Sequence, residues 1–365
     1  MMGQSVIQNK AHYHELDLLR FIAALAVVFY HYTFVHTVSF SEIASYPVLG
    51  DIFKYGYMGV ELFFMISGFV ILMTTVNKSP VEFVISRISR LYPAFWVALL
   101  ITTLSIVFFV VDDSKEISLS RFLINLSMVP EYINIDSIDP VYWTLQVEIK
   151  FYFWMFVIVL MNKLANIESF LSVWILISIL DAFQFTHGLS RLLFIPEWAP
   201  YFCAGALFFI VKTQGLSTKR VLLLFLAYLL SIHYAIVEGQ LKASHFESDF
   251  SPIVVTILIT ALYLLFIWFI NRNKDYQKSR NMLFLGALTY PLYLIHNVLG
   301  EIIFTHLAQD INQYTLLISV IVLMLIISFV ISYFIEPKIS KLMKSALLKY
   351  TKVGIRFGET LIKRS

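Results

Sequence analysis

Apolar runs of about 20 residues, enough to cross a hydrocarbon core of roughly 30 Å, recur along the whole chain with only short polar breaks. They predict spans at 16–36, 57–76, 91–111, 145–162, 167–183, 195–211, 220–237, 251–270, 282–306 and 314–335. The fifth is short and contains Asp181, and the sixth opens on Pro196 and Pro200. The first run is full length and has no small-residue cleavage site after it, so it reads as a retained span. The pattern therefore predicts an all-α integral membrane protein of about ten transmembrane helices. One membrane domain covers 16–335, between a polar segment at 1–15 and a basic tail at 336–365.

Charge placement orients these spans. With the N-terminus in the cytoplasm, the inner segments hold Lys10, Lys78, Arg87, Arg90, Lys163, Lys212, Lys219, Arg220, Arg272, Lys274, Lys278 and Arg280. The outer ones hold only Lys54, Lys115, Arg121, Arg191 and Lys242, and the acids Asp112, Asp113, Glu116, Asp136 and Asp139 gather in the longest of them. This positive-inside bias puts both termini in the cytoplasm. From Lys338 onward, Ile339, Leu342, Met343, Leu347 and Leu348 interleave with lysines, the pattern of an amphipathic helix on an anionic inner leaflet. A composition 59% apolar and 14% charged leaves no room for a soluble domain or a nucleic-acid partner, and the single Cys203 excludes an internal disulfide or a cysteine metal cluster. No metal is expected.

Ionisable residues within spans are costly and so mark candidate chemistry. Arg20 and His31 lie eleven positions apart in the first span, which returns to within about 20° of one face and rises about 16 Å. Each alone also fits a bland role: a snorkelling arginine, or a histidine bonded to a neighbouring helix. The second span reads GVELFFMISGF, where Gly56, Gly59 and Gly68 suit close helix packing and Glu61 could face the cavity of His31. In RISRLYP, Arg87 and Arg90 share a helical face ahead of Pro93; two guanidinium forks suit phosphates, or simple inner-face topology. The fourth span opens with YWTLQVEIKFYFW, which predicts Glu148 at the depth of His31, where a carboxylate would hold the imidazole tautomer and raise its basicity. Lys150 lies off that face. In LGALTYPLYLIHN, Pro291 is expected to kink the ninth span, and His296 is a second cavity residue or an interhelical hydrogen bond.

These pieces, in order, resemble the membrane acyltransferase family 3: LDLLRFIAALAVVFYHY with Arg20 and His31, GVELFFMISGFVI, RISRLYP, YWTLQVEIKFY, LTYPLYLIHN, and FIEP at Glu336 and Pro337. The resemblance implies a ten-helix O-acyltransferase of bacterial surface polysaccharides and related acceptors. It also implies that the first-span Arg20 and His31 are needed for activity and that Arg87 and Arg90 engage acyl-CoA on the cytoplasmic side. Glu61 stands where the family commonly has Asp, and Lys150 where an acid is frequent.

The expected function is transfer of an acyl group, acetyl foremost, from cytosolic acyl-CoA as co-substrate to a hydroxyl of a cell-surface glycan, lipid-linked sugar or lipopolysaccharide precursor. The setting would be the bacterial inner membrane. His31 and Glu148 are the expected catalytic pair, with Arg20, Arg87, Arg90, Glu61 and His296 binding substrate or donor. The chain would finish the transfer alone or hand its acyl group to a separate periplasmic acceptor protein. The alternative is a proton-coupled transporter or flippase of a glycan or lipid-linked substrate, because a cavity crossed by Arg and His also suits a carrier.

Overall fold

The computed structural model of the chain describes residues 13–39, 45–76, 78–110, 117–272 and 279–362, with side chains described as far as Thr351. Most of the N-terminal segment, the acids Asp112, Asp113 and Glu116, and Lys10, Lys115, Lys274, Lys278, Lys363 and Arg364 lie outside these residues. Among the described residues all regular structure is helical, and ten helices are long and apolar enough to cross a membrane. Spans 1 to 5 are His14–Val38, Pro47–Thr75, Pro80–Phe109, Pro140–Leu160 and Leu164–Ala182. Spans 6 to 10 are Leu189–Gln214, Thr218–Phe246, Pro252–Asn271, Arg280–Leu307 and Gln313–Thr351. Here the end at which span 1 begins is the near face, and the opposite end the far face.

The helix starts are written locally. Span 3 opens on Ser79, whose hydroxyl accepts from the Glu82 amide while the Glu82 carboxylate accepts from the Ser79 amide, followed by Pro80 at the first helical position. Span 6 consists of Leu189–Phe194, a break at Pro196, and Ala199–Gln214. It is the most enclosed of the ten, whereas span 8 presents Ile253, Ile257, Leu264 and Trp268 outward, as a lipid-facing helix must.

Close helix packing at the expected glycines holds the interior together. A Cβ on Gly59 would stand 2.5 Å from the Ala23 carbonyl oxygen, and one on Gly68 would stand 2.1 Å from that of Phe202. Gly205 answers from the other side, where a Cβ would lie 1.9 Å from the Met65 carbonyl oxygen. Spans 2 and 6 therefore meet backbone to backbone, as small residues permit in lipid.

Two prolines inside helices, Pro93 and Pro291, each lack the N–H that would serve the carbonyl four residues back. Both freed carbonyls are met from the end of the chain: Ser332 Oγ donates to Ala287 O at 2.8 Å, and Ser340 Oγ donates to Ser89 O at 2.7 Å. Span 10 passes through a π-helical turn, Ile331–Ile335, into helix Glu336–Ile362. These two serines register that last stretch against spans 3 and 9.

Candidate active site

The polar residues singled out in the sequence fall into two layers. In the far half, span 1 widens into a π-helical segment, Tyr30–Val35, that carries His31. Such widenings re-aim side chains and recur at functional sites. His31 Nδ1 lies 3.0 Å from the Val27 carbonyl oxygen and 3.1 Å from His296 Nε2, and His296 Nδ1 lies 2.8 Å from the Tyr293 carbonyl oxygen.

Carbonyl oxygens only accept, so both Nδ1 atoms carry protons. Neutral His296 then has a bare Nε2, which accepts from His31 Nδ1–H. His31 in turn is left with a bare Nε2, a basic nitrogen on a ring held from behind. His296 is fully buried with both ring nitrogens occupied, so of its two expected roles the geometry is that of the interhelical hydrogen bond. Tyr32 strengthens the junction by donating to the His296 carbonyl at 2.7 Å, its ring seated where only the hydrogen of Gly300 leaves space.

His31 lines a cavity of about 120 Å³ together with Glu61, Trp143, Trp198, Lys242 and Tyr293. Glu61 and Tyr57, which also line it, each have a buried oxygen, Glu61 Oε2 and the Tyr57 hydroxyl, with no hydrogen-bond partner among the described residues. Buried polar atoms are ordinarily paired, so these two point to a polar occupant. Lys242 sits 4.7 Å over the Tyr57 ring and 3.0 Å from Glu238 Oε1. Pro140 separates this chamber from a larger far-side cavity of about 800 Å³, edged by Arg121, Glu131, Asp136 and Glu301.

Glu148 is not in this layer. Its Oε1 accepts from Ser67 Oγ at 2.8 Å and from the Tyr152 hydroxyl, and its charge acts on Arg20. The expected depth fails because span 4 begins well below the far surface. Asp139, read from the sequence as an acid of an outer segment, is fully buried and accepts from Asn297 Nδ2 at 3.0 Å and from the Val298 amide at 3.2 Å. The residue before Pro140 is thus already level with the residues after His296. Glu148 lies nine positions further on, about 13 Å deeper along the helix. On span 4 the carboxylate held at the depth of the histidines is Asp139, which fastens span 4 to span 9.

The near layer gathers the remaining residues. Arg20 feels the fields of Arg90, Glu148, Asp17 and Tyr152. Arg87 lies 5.8 Å over the Tyr152 ring, and Arg90 Nη1 is 3.9 Å from Glu336 Oε1. Lys150 points elsewhere, 5.5 Å over the Tyr132 ring. The sequence reading did not single out Ser67, Tyr57, Tyr152, Trp143, Trp198 or Glu238. Hydroxyls and aromatics within apolar runs are too common to stand out, and only their convergence marks them. Asp139 had one signal, an aspartate directly before a proline-opened helix, which is a helix-capping pattern. No group of three or more potential metal-binding side chains occurs among the described residues.

An all-helical bundle of membrane-spanning length, with a basic nitrogen facing a chamber on one side and arginines clustered on the other, has the parts of a membrane group-transfer enzyme. Residues 13–336 match the acyltransferase domain of the Acyl_transf_3 family, and the chain belongs to that family. It is similar to the protein named "Putative acetyltransferase ORF330" of Acidianus two-tailed virus, at 25% identity over 297 residues, 78% of this chain and 82% of that one. No solved structure matches the chain. The protein is an acyltransferase of a multi-pass membrane family, and its chemistry is acyl transfer and not carriage alone.

Proposed function

We propose that this enzyme moves an acyl group, acetyl foremost, from acyl-CoA bound at the near face to a hydroxyl of a cell-surface glycan or lipopolysaccharide precursor reached from the far face. Lys212 and Arg220 lie at near-face helix ends, Arg87 and Arg90 in the near third of span 3, and Lys338, Lys341, Lys344 and Lys349 on the helix that continues span 10. That bias favours a cytosolic near face in a bacterial inner membrane. Arg20 and His31 are separated by eleven residues of helix, about 16 Å. A donor whose phosphates and reacting carbon sit at the two ends of a long arm, as in CoA, fits that separation.

One observation carries the reading: the hydrogen-bonded series Tyr293 carbonyl, His296, His31 leaves a bare imidazole nitrogen in a chamber that also holds two oxygens without a hydrogen-bond partner among the described residues. In the proposed step the acceptor hydroxyl oxygen attacks the thioester carbonyl carbon while His31 Nε2 takes its proton. The carbon–sulfur bond breaks, the ester forms, and the imidazolium returns the proton to the departing CoA sulfur. His31 Nδ1–H keeps donating to His296 Nε2 and the Val27 carbonyl throughout, which holds the ring in place.

Glu61 Oε2 and the Tyr57 hydroxyl supply hydrogen bonds to the acceptor, and Trp143 and Trp198, with ring centroids 5.0 Å apart, offer apolar faces for a sugar. The larger cavity beyond Pro140 gives a bulky acceptor room at the far side. A thioester is already activated, so positioning and proton removal supply most of the rate. Glu148 acts at the other end, balancing Arg20 beneath the donor.

The test is a deletion strain complemented with the wild type or His31→Ala at matched membrane levels, with glycan esters read by mass spectrometry. The wild type restores esters and the variant does not; full esterification by the variant overturns the mechanism.

A further inference from the structure

Two cations at the near face converge on one neutral oxygen. Lys78 Nζ donates to Ser86 Oγ at 3.0 Å and Arg87 Nε donates to the same atom at 3.3 Å, while Ser86 gives its own proton to the Phe83 carbonyl at 2.8 Å. Neither cation has an ion-pair partner among the described residues. Glu82, whose field reaches Lys78, is engaged in the Ser79 cap.

The tail helix brings a third cation to the same place. It is registered on span 3 by Ser340 on the Ser89 carbonyl that Pro93 frees, and by Glu336 beside Arg90. One turn past Ser340 stands the exposed Lys344. Burial first, then the charges of Arg87 and Lys344, pushes the Lys78 ammonium down from its ordinary value, so Lys78 stands within the fields of both. Like charges gathered from a loop, a span and the tail, with only a hydroxyl between two of them, form a socket that an anion completes.

We propose that Lys78, Ser86, Arg87 and Lys344 form a subsite for a phosphomonoester. Resting on the CoA reading above, this is the 3′-phosphate that CoA carries apart from its diphosphate. Arg20 lies two turns inside span 1, whereas Lys78 precedes the first residue of span 3. A donor bound with its thioester deepest meets Arg20 and Arg90 with its diphosphate and leaves the phosphomonoester outermost, at this socket. The tail helix is then part of the donor site. A lipid headgroup offers the same phosphate chemistry as a diester, and the experiment separates the two.

Purified full-length protein in uncharged detergent is titrated with CoA and with dephospho-CoA, which lacks only that phosphate, by calorimetry. Each charge-assisted hydrogen bond lost is expected to cost about tenfold. The wild type therefore binds CoA at least about tenfold more tightly than dephospho-CoA. Lys78→Ala and Lys344→Ala bring that ratio toward one by weakening CoA alone. Lys344 is exposed on the tail, so its variant separates a binding loss from a folding loss. Equal wild-type affinities for the two ligands overturn the subsite and leave the donor reading standing. Absence of CoA binding overturns both. A Lys344→Ala protein that keeps the CoA preference but no longer captures phosphatidylglycerol vesicles shows a lipid contact and overturns the subsite.

Discussion

The two polar layers solve opposite problems. Near the N-terminal end, the Glu148 carboxylate accepts from the Ser67 and Tyr152 hydroxyls, and its charge acts on Arg20. In the far half, two imidazoles are chained to a carbonyl, and among the described residues no carboxylate is bonded to His31 and Glu61 and Tyr57 keep unpartnered oxygens in the chamber. On the proposed function, the near layer holds the charged donor, and the far layer, with its bare nitrogen and open oxygens, exchanges a proton with a neutral acceptor.

Substitutions in either layer test whether they are independent. His31→Ala should lower acyl transfer by about 10²- to 10⁴-fold, the range for loss of a positioned base, with CoA affinity by calorimetry unchanged. An equal loss of CoA binding would mean that the layers act as one. His296→Ala leaves the His31 Nδ1 proton short of a buried acceptor and should cost roughly 5- to 150-fold in kcat. His296→Gln, whose carbonyl can accept that proton, should recover part of it; if neither variant affects kcat, the ring chain is only packing.

Glu148→Gln turns two charge-assisted hydrogen bonds, from Ser67 and Tyr152, into neutral ones and should destabilise the protein by about 2 kcal/mol. Thermal unfolding in detergent measures this, and a shifted pH–rate profile with an unchanged Tm would instead couple Glu148 to His31 after all. Glu61→Gln should raise the acceptor KM by about tenfold and leave CoA affinity alone; a change confined to CoA would place Glu61 in the donor layer. The smallest effect is expected from Ser332→Ala, which strips the proline-freed Ala287 carbonyl of its donor at a cost of about 1 kcal/mol. Melting temperature should report that loss while transfer per folded molecule holds; a matching loss of transfer would extend the near layer to span 10.

Much of this architecture was legible in the residue order. Ten spans follow from hydrophobic length, which is a local property, and Gly59 and Gly68 pack backbone to backbone as small residues in lipid should. The relation of His31 to Glu148 was not legible, because a span's starting depth is not local. Pro140 begins span 4 beside Val298 only because Asp139, in a stretch that reads as aqueous, is drawn in by Asn297 and the Val298 amide. The π-helical turn at Tyr30–Val35 was equally hidden, since its residues suit an ordinary helix.

The sequence by itself determined that this chain crosses a membrane about ten times and carries Arg20 and His31 on its first span, because apolar length and an intramembrane charge are written residue by residue. Only the tertiary structure decided that His31 leans on His296, that Glu148 answers Arg20, and that Ser332 and Ser340 complete the carbonyls left open by Pro291 and Pro93. The reason is that hydrogen-bonding groups removed from water take whichever partner packing brings to their own depth, and depth is set by how the helices are seated against one another.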